Sequence, residues 1–136
     1  MKRIRNMQAW GDEKNLISYN TSIAQIIEKD GHKWLILRDY NTITSKKHLR
    51  TWLDDMAYLT EYERNYIINE LKYYRQKGRS KYHDYYNYYI FTLERPFDEG
   101  DPMAWLGFVS EVFNCRCYFI TSDSYHKILQ YGTPTI

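Results

Sequence analysis

The amino-acid sequence predicts an α+β fold in one compact domain, with an N-terminal β-hairpin, an antiparallel helical pair, further strands and a third helix. Three observations carry this prediction. Alternating side chains lead into an Asp30-Gly31 dipeptide, which is typical of a hairpin turn. Two amphipathic segments follow, and the second opens with a capping-box pattern at Thr60. An Asp101-Pro102 pair then starts a third helix.

Length and composition agree with a single domain over residues 1–136. Hydrophobic residues make up 43% of the chain and charged residues 26%, which are ordinary globular values. The formal net charge of +2 is too small to identify a partner, and 15 tyrosines are an excess. No apolar run approaches the ~20 residues needed to cross a bilayer. We therefore expect a cytoplasmic protein without membrane contact, in which residues 1–8 and 132–136 are flexible.

The hairpin is the first predicted element. Residues 17–28 alternate with period two, as in a strand with two different faces. Asp30-Gly31 then supplies a type I′ turn, because glycine tolerates the positive φ that this turn requires. The apolar segment after the turn is the second strand of the hairpin.

Two helices follow the hairpin. Leu49, Trp52 and Leu53 recur with helical spacing and predict the apolar face of the first helix. Thr60 and Glu63 form a Thr-x-x-Glu capping box, so the second helix starts there and runs to about residue 77. A short connection makes the two helices antiparallel neighbours.

The last third of the chain predicts a tyrosine-rich strand at 85–93, a helix after Asp101 and two closing strands at 115–121 and 125–131. The only two cysteines are Cys115 and Cys117. They are too close for an ordinary disulfide and too few for a zinc site. We predict a buried, inert thiol pair, no metal site and no cofactor.

The start of the first helix is the first candidate binding surface. Hydroxyl and basic side chains cluster there. The basic ones run against the helix dipole, which favours negative charge at a helix N-terminus. A helix N-terminus with such residues can bind phosphate or another anion. Alternatively, one hydroxyl is the N-cap, the lysines are solvated and Arg50 pairs with an acid one turn on. The candidate residues are Thr44, Ser45, Lys46, Lys47, His48 and Arg50.

A second basic segment follows the second helix. Its cations run directly into a series of tyrosines, the combination with which proteins bind single-stranded nucleic acid. The tyrosines are equally suited to a half-buried strand, which is the competing interpretation. In an antiparallel pair, this segment lies at the same end as the start of the first helix. The candidate residues are Arg75, Lys77, Arg79, Lys81 and Tyr82.

Two short motifs resemble a pattern in uncharacterised proteins encoded by bacteriophages. Residues 19–24 match a Tyr-x-Thr-x-Ile-Ala strand, and residues 44–48 match a Thr-Ser-Lys-x-His helix entry. The resemblance covers about a quarter of the chain. It implies a viral origin in a phage or prophage, and no established activity comes with it.

No catalytic motif is present, and we predict a non-catalytic binding protein of phage type. It would engage nucleic acid or a nucleic-acid-handling host complex through a basic, tyrosine-rich surface, and an anti-CRISPR-like inhibitor of a host defence enzyme belongs to this class. The alternative is a small cytoplasmic enzyme, either a histidine-based nuclease or a Cys/His hydrolase, because scattered histidines and cysteines can meet in space. DNA, RNA and protein all stay open as targets.

Overall fold

The computed structural model describes residues 1–38, 43–77, 86–93, 101–119, 127–131 and 134–136. These residues form eight strands and three helices, which confirms the predicted α+β fold class. The strands are β1 Lys2–Arg3, β2 Ala9–Gly11, β3 Asn15–Ser18, β4 Thr21–Lys29, β5 His32–Arg38, β6 Tyr86–Thr92, β7 Arg116–Phe119 and β8 Lys127–Tyr131. The helices are α1 Ile43–Asp55, α2 Glu61–Lys77 and α3 Pro102–Phe113.

The chain divides into two compact units that interleave in sequence. The first unit comprises Met1–Ile26 and Asp39–His83, and the second comprises Ile27–Arg38 and Asp84–Ile136. The single domain over residues 1–136 stays a prediction, as does the flexibility of residues 1–8 and 132–136.

In the first unit, strands β1 to β4 pair in sequence order, each antiparallel to the next. Two of these strands, β1 and β2, were not predicted. The side chains of Ile4 and Ala9, at and beside these short strands, are buried. Strand β1 has two residues and β2 has three, which is too short to show an alternating pattern. The hydrophobic pattern therefore could not predict these strands.

The predicted continuous strand over residues 17–28 is wrong. Tyr19 and Asn20 form a two-residue turn between β3 and β4, and Tyr19 has a φ of 54°. The pairing of β3 with β4 also shifts register beside Leu16. This bulge lets the neighbouring side chains of Ile23 and Ala24 both be buried, which strict alternation forbids.

Helices α1 and α2 complete the first unit. Leu49, Trp52 and Leu53 are buried, as the helical spacing predicts. The indole Nε1 of Trp52 donates to the carbonyl oxygen of Asp12 at 2.8 Å, which ties α1 to the turn between β2 and β3. The capping box is confirmed by two hydrogen bonds, Thr60 N to Glu63 Oε1 at 2.9 Å and Glu63 N to Thr60 Oγ1 at 3.1 Å.

In the second unit, the strand order is β5-β6-β8-β7, with antiparallel neighbours. The predicted turn before β5 is confirmed, because Asp30 and Gly31 have positive φ values of 51° and 76°. Four consecutive residues of β5, from Trp34 to Leu37, are buried. Burial of consecutive residues means that both faces of this strand are covered.

Helix α3 packs its apolar face in the second unit. Asp101 is its N-cap, accepting the backbone N–H of Ala104 at 3.0 Å, as predicted. The ring of Trp105 stacks on Trp34 at 5.8 Å between centroids, and Phe113 meets Trp34 edge-on at 5.1 Å. These three buried aromatic side chains are the centre of the core of this unit.

Candidate binding surface at the start of α1

The start of α1 has three exposed side chains, and a fourth exposed side chain, Tyr19 in the turn between β3 and β4, contacts His48 of the same helix. We call this the α1-start surface, and its members are Tyr19, Ile43, Thr44 and Lys47. The side chain of Ile43 is 89% exposed and that of Tyr19 is 55% exposed, which is high for residues of this size and apolarity. Tyr19 was not among the candidate residues, because the alternating pattern places it within a strand.

Tyr19 reaches the start of α1 through His48. The centroids of the two rings lie 5.7 Å apart, at an interplanar angle of 44°. Tyr19 and His48 are the first and last residues of the two short motifs of the phage resemblance, so the fold brings these motifs into contact. The positive φ of Tyr19 turns the chain at this point.

His48 itself is not a surface residue, which corrects its prediction as a contact residue. Only 3% of its side chain is exposed, and its Nδ1 lies 2.7 Å from the buried Ser18 Oγ. Burial lowers the pKa of His48, and the charge of the neighbouring Lys47 lowers it further. The buried imidazole therefore contacts the Tyr19 ring and is held in place by its hydrogen bond to Ser18 of β3.

The hydroxyl residues also need a correction. Helix α1 begins at Ile43, so Thr44 and Ser45 lie within its first turn and neither is the N-cap. Ser45 is only 9% exposed and cannot be reached by a large ligand, whereas Thr44 is exposed. The helical repeat causes this difference, since neighbouring residues of a helix point about a quarter-turn apart.

The cations at this end of α1 differ in their surroundings. Lys46 is half-buried and Lys47 is exposed. Arg50 Nε lies 3.6 Å from Asp54 Oδ2, which confirms the alternative that Arg50 pairs one turn along the helix. No acidic residue lies in the first turn of α1. The lysines consequently add to the positive end of the helix dipole.

The second basic segment is largely outside the described residues. Arg75 and Lys77 are residues of α2. Arg79, Lys81 and Tyr82 are not among the described residues. Its position at the same end as the start of α1 therefore stays a prediction.

A polar groove of about 600 Å³ lies between α1 and α2 in the first unit. Three of its four charged residues are paired or bonded within the protein, since Arg50 contacts Asp54 and Arg64 Nε donates to the Leu53 carbonyl at 2.8 Å. Sequence reasoning missed this groove, because it requires two helices to be packed together. It is lined by Arg50, Asp54, Glu61, Arg64, Asn65, Ile68 and Asn69.

Ser18 and His48 have the spacing of a nucleophile and its general base, but they are poorly placed for catalysis. A nucleophilic hydroxyl must reach substrate, and Ser18 is only 4% exposed. Ser18 Oγ and His48 Nδ1 are also hydrogen-bonded to each other inside the first unit. This pair is therefore best understood as a structural link between β3 and α1.

The predicted thiol pair lies in the second unit. Cys117 is buried, Cys115 is half-buried, and their Sγ atoms are 3.6 Å apart without a disulfide bond. Among the described residues, no three or more histidine, cysteine or acidic side chains come together in a group that could hold a metal ion.

No known protein family, curated protein or solved structure matches this chain. Over the described part of the chain, no helix combines the length and the apolar character that a membrane span requires.

Proposed function

We propose that this chain is a non-catalytic binding protein of phage type that engages nucleic acid or a nucleic-acid-handling host complex. The α1-start surface, together with Lys46, is the contact site. The observation that carries the proposal is the exposed Tyr19 ring, held 5.7 Å from His48 beside the exposed Lys47. An aromatic ring beside cations at a helix N-terminus suits a ligand that has both phosphates and bases.

Each part of this surface has a distinct physical contribution. The N–H groups of the first helical turn and the dipole of α1 favour an anion. Lys46 and Lys47 add the charge that tracks a phosphate backbone. The exposed face of Tyr19 can stack on a base, which is worth about 1–3 kcal/mol per base in single-stranded complexes. Stacking does not discriminate strongly between bases, so we expect weak sequence preference.

The phage resemblance supports a host target. Small proteins without catalytic signatures can disable a host enzyme by covering its nucleic-acid site, as an anti-CRISPR-like inhibitor would. Tyrosine and arginine are favoured at the centres of protein interfaces. The host-cell cytoplasm is the compartment that this proposal requires.

The test is a fluorescence-anisotropy titration with labelled single- and double-stranded DNA and RNA at low and moderate salt. We expect affinity that falls steeply with salt, because phosphate contacts release counterions. A Lys46→Glu/Lys47→Glu variant should lose this binding. Lys14→Glu is a control for charge reversal elsewhere on the surface and is compared with Lys47→Glu alone, since Lys14 is also exposed but lies before β3, at the opposite end of that strand from Tyr19.

A fourfold charge reversal tests the joint contribution of the two basic segments. Lys46, Lys47, Arg79 and Lys81 are replaced by glutamate, and we expect partner binding to be abolished with the circular-dichroism spectrum unchanged. If this variant binds normally, the site is elsewhere. If the wild-type chain binds no oligonucleotide even at low salt, a host protein becomes the target to isolate from lysate.

A further inference from the structure

The two cysteines are brought together by the way in which α3 ends. Asn114 adopts a left-handed conformation, with φ 49° and ψ 51°, and so turns the chain from α3 into β7. The backbone N–H of Cys115 donates to the Ser110 carbonyl at 3.2 Å, which fixes the first cysteine over the last turn of the helix. The result is the 3.6 Å approach of the two sulfur atoms.

The thiol pair is accessible from the surface. Cys115, Cys117 and Arg116 line an open groove of about 700 Å³ at the junction of α3 and β7. Cys117 is only 6% exposed, so the half-buried Cys115 is the sulfur that an incoming group meets first. Arg116 and the acidic Glu111 also line this groove.

The two thiols are not equivalent. The two sulfur atoms are in hydrogen-bond contact, in which either thiol can be the donor, and this contact lowers the pKa of Cys117. The same hydrogen bond, together with burial, raises the pKa of Cys115.

We propose that Cys115 and Cys117 form a two-sulfur binding site for a soft monovalent cation of the Cu(I) type. Thiolates are the protein ligands that such a cation prefers. Binding exchanges the two thiol protons for one cation, which leaves a singly negative bis-thiolate complex and releases two protons to solvent.

The number of ligands selects the class of cation. Structural zinc takes four protein ligands, and the described residues contain no group of three or more histidine, cysteine or acidic side chains that could hold a metal ion. Cu(I) is stable with two thiolates. A wider separation of the sulfurs is needed for two-coordinate binding, and the half-buried Cys115 can supply it by turning toward the groove.

The test is an anaerobic titration of the fully reduced chain with Cu(I) in competition with a coloured Cu(I) chelator. We expect the chain to withdraw one Cu(I) from the chelator. The bound ion should also protect both cysteines from alkylation by iodoacetamide, as measured by mass spectrometry. Cys115→Ser and Cys117→Ser should each lose the bound ion.

The control variant is Met103→Leu, because the exposed thioether of Met103 is another soft ligand at a distance from the pair in sequence. Met103→Leu should bind one Cu(I) as the wild type does. Thermal unfolding of the serine variants establishes that they are folded, and Cys115→Ser is the milder change because Cys115 is half-buried. Wild-type affinity in folded Cys115→Ser, or no withdrawal of Cu(I) by the wild type, would overturn the proposal.

Discussion

His48 is the residue that links the α1-start surface to the core of the first unit. Its ring is buried under Tyr19, and its Nδ1 makes a 2.7 Å hydrogen bond to Ser18. A buried imidazole stays neutral more easily than it becomes charged. The stability of this corner of the protein must therefore depend on pH.

We expect the free energy of unfolding to fall as the pH decreases from about 7.5 to about 5.5. The pKa of His48 is lowered in the folded state from an ordinary value of 6.5, so the unfolded chain binds the proton more tightly. The stabilisation is present above pH 6.5 and is lost as the pH falls through the folded-state pKa. Urea denaturation of the wild type and His48→Gln measures the effect.

The direct check is an NMR titration of the His48 ring, which should give a pKa below 6.5. Lys47→Ala should move that pKa upward, because it removes a neighbouring positive charge. A His48 ring that titrates at or above its ordinary value would contradict this account.

Two glycines should respond to alanine in opposite directions. A Cβ on Gly11 would lie 2.8 Å from Trp52 Cδ1 and 3.1 Å from the Asn15 carbonyl oxygen. Gly11→Ala should therefore destabilise the protein by about 1–3 kcal/mol through overpacking. Gly107, in α3, has no atom within 4 Å of such a Cβ.

Gly107→Ala is the matched substitution and should stabilise the protein by up to about 1 kcal/mol, the difference in helix propensity. Chemical denaturation of both variants against the wild type tests the pair. Equal effects of the two substitutions on stability would show that the contact with Trp52 does not determine the cost of Gly11→Ala.

At the scale of elements, the predictable features are those whose cause is local. Asp101 caps α3 and Thr60 caps α2 because their side-chain oxygens reach backbone N–H groups three residues on. The turn after β4 follows from Asp30-Gly31 in the same way. Each of these features needs only four consecutive residues to be recognised.

The break between β3 and β4 could not be predicted in that way. Tyrosine rarely adopts a positive φ, so Tyr19 carries no turn signal of its own. The two-residue turn pairs Ser18 with Thr21 and so shifts the alternation by one residue, but the bulge beside Leu16 shifts it back, and the sequence pattern shows no break. The contact of Tyr19 with His48 joins residues 29 positions apart, which no local rule anticipates.

The candidate site was predicted only in part for a related reason. The clustering of Lys46, Lys47 and Arg50 is visible in the sequence, but their accessibility depends on how α1 is rotated. That rotation is set by Leu49, Trp52 and Leu53, which are buried. It removes Ser45 and His48 from the surface and leaves Thr44 and Lys47 on it.

The capping box of α2 gives a prediction at this scale. Thr60→Ala removes the oxygen that accepts the Glu63 N–H and should cost about 1 kcal/mol of stability. Thr60→Ser keeps that oxygen and should stay close to the wild type. Urea denaturation followed by circular dichroism compares the two, and an equal loss in both would point away from the cap.

At the scale of the whole molecule, the notable feature is that neither unit is a continuous piece of chain. Strand β5 belongs to the first half of the sequence, yet its partner β6 follows both α1 and α2. The aromatic centre of the second unit likewise needs Trp34 from one segment and Trp105 from the other. The second unit is complete only when both segments are present.

A fragment of residues 84–136 should therefore fail to fold alone. It lacks β5, which pairs with β6 and contributes Trp34 and Ile36 to the core cluster that contains the buried residues of α3. We expect a spectrum of a disordered chain, and partial recovery of structure when a peptide of residues 27–38 is added. Cooperative thermal unfolding of the isolated fragment would contradict this expectation.

The interleaving also sets the order in which the ribosome delivers the parts of the second unit. Strand β5 ends at Arg38 and β6 begins at Tyr86, so 47 residues separate them. Because the ribosome adds roughly 5–20 residues per second, the synthesis of β6 begins about 2–9 seconds after that of β5 ends. During that interval β5, with its apolar run from Trp34 to Leu37, lacks its strand partner β6. The nascent chain thus passes through a stage in which a chaperone, or a neighbouring nascent chain, can reach its most apolar strand.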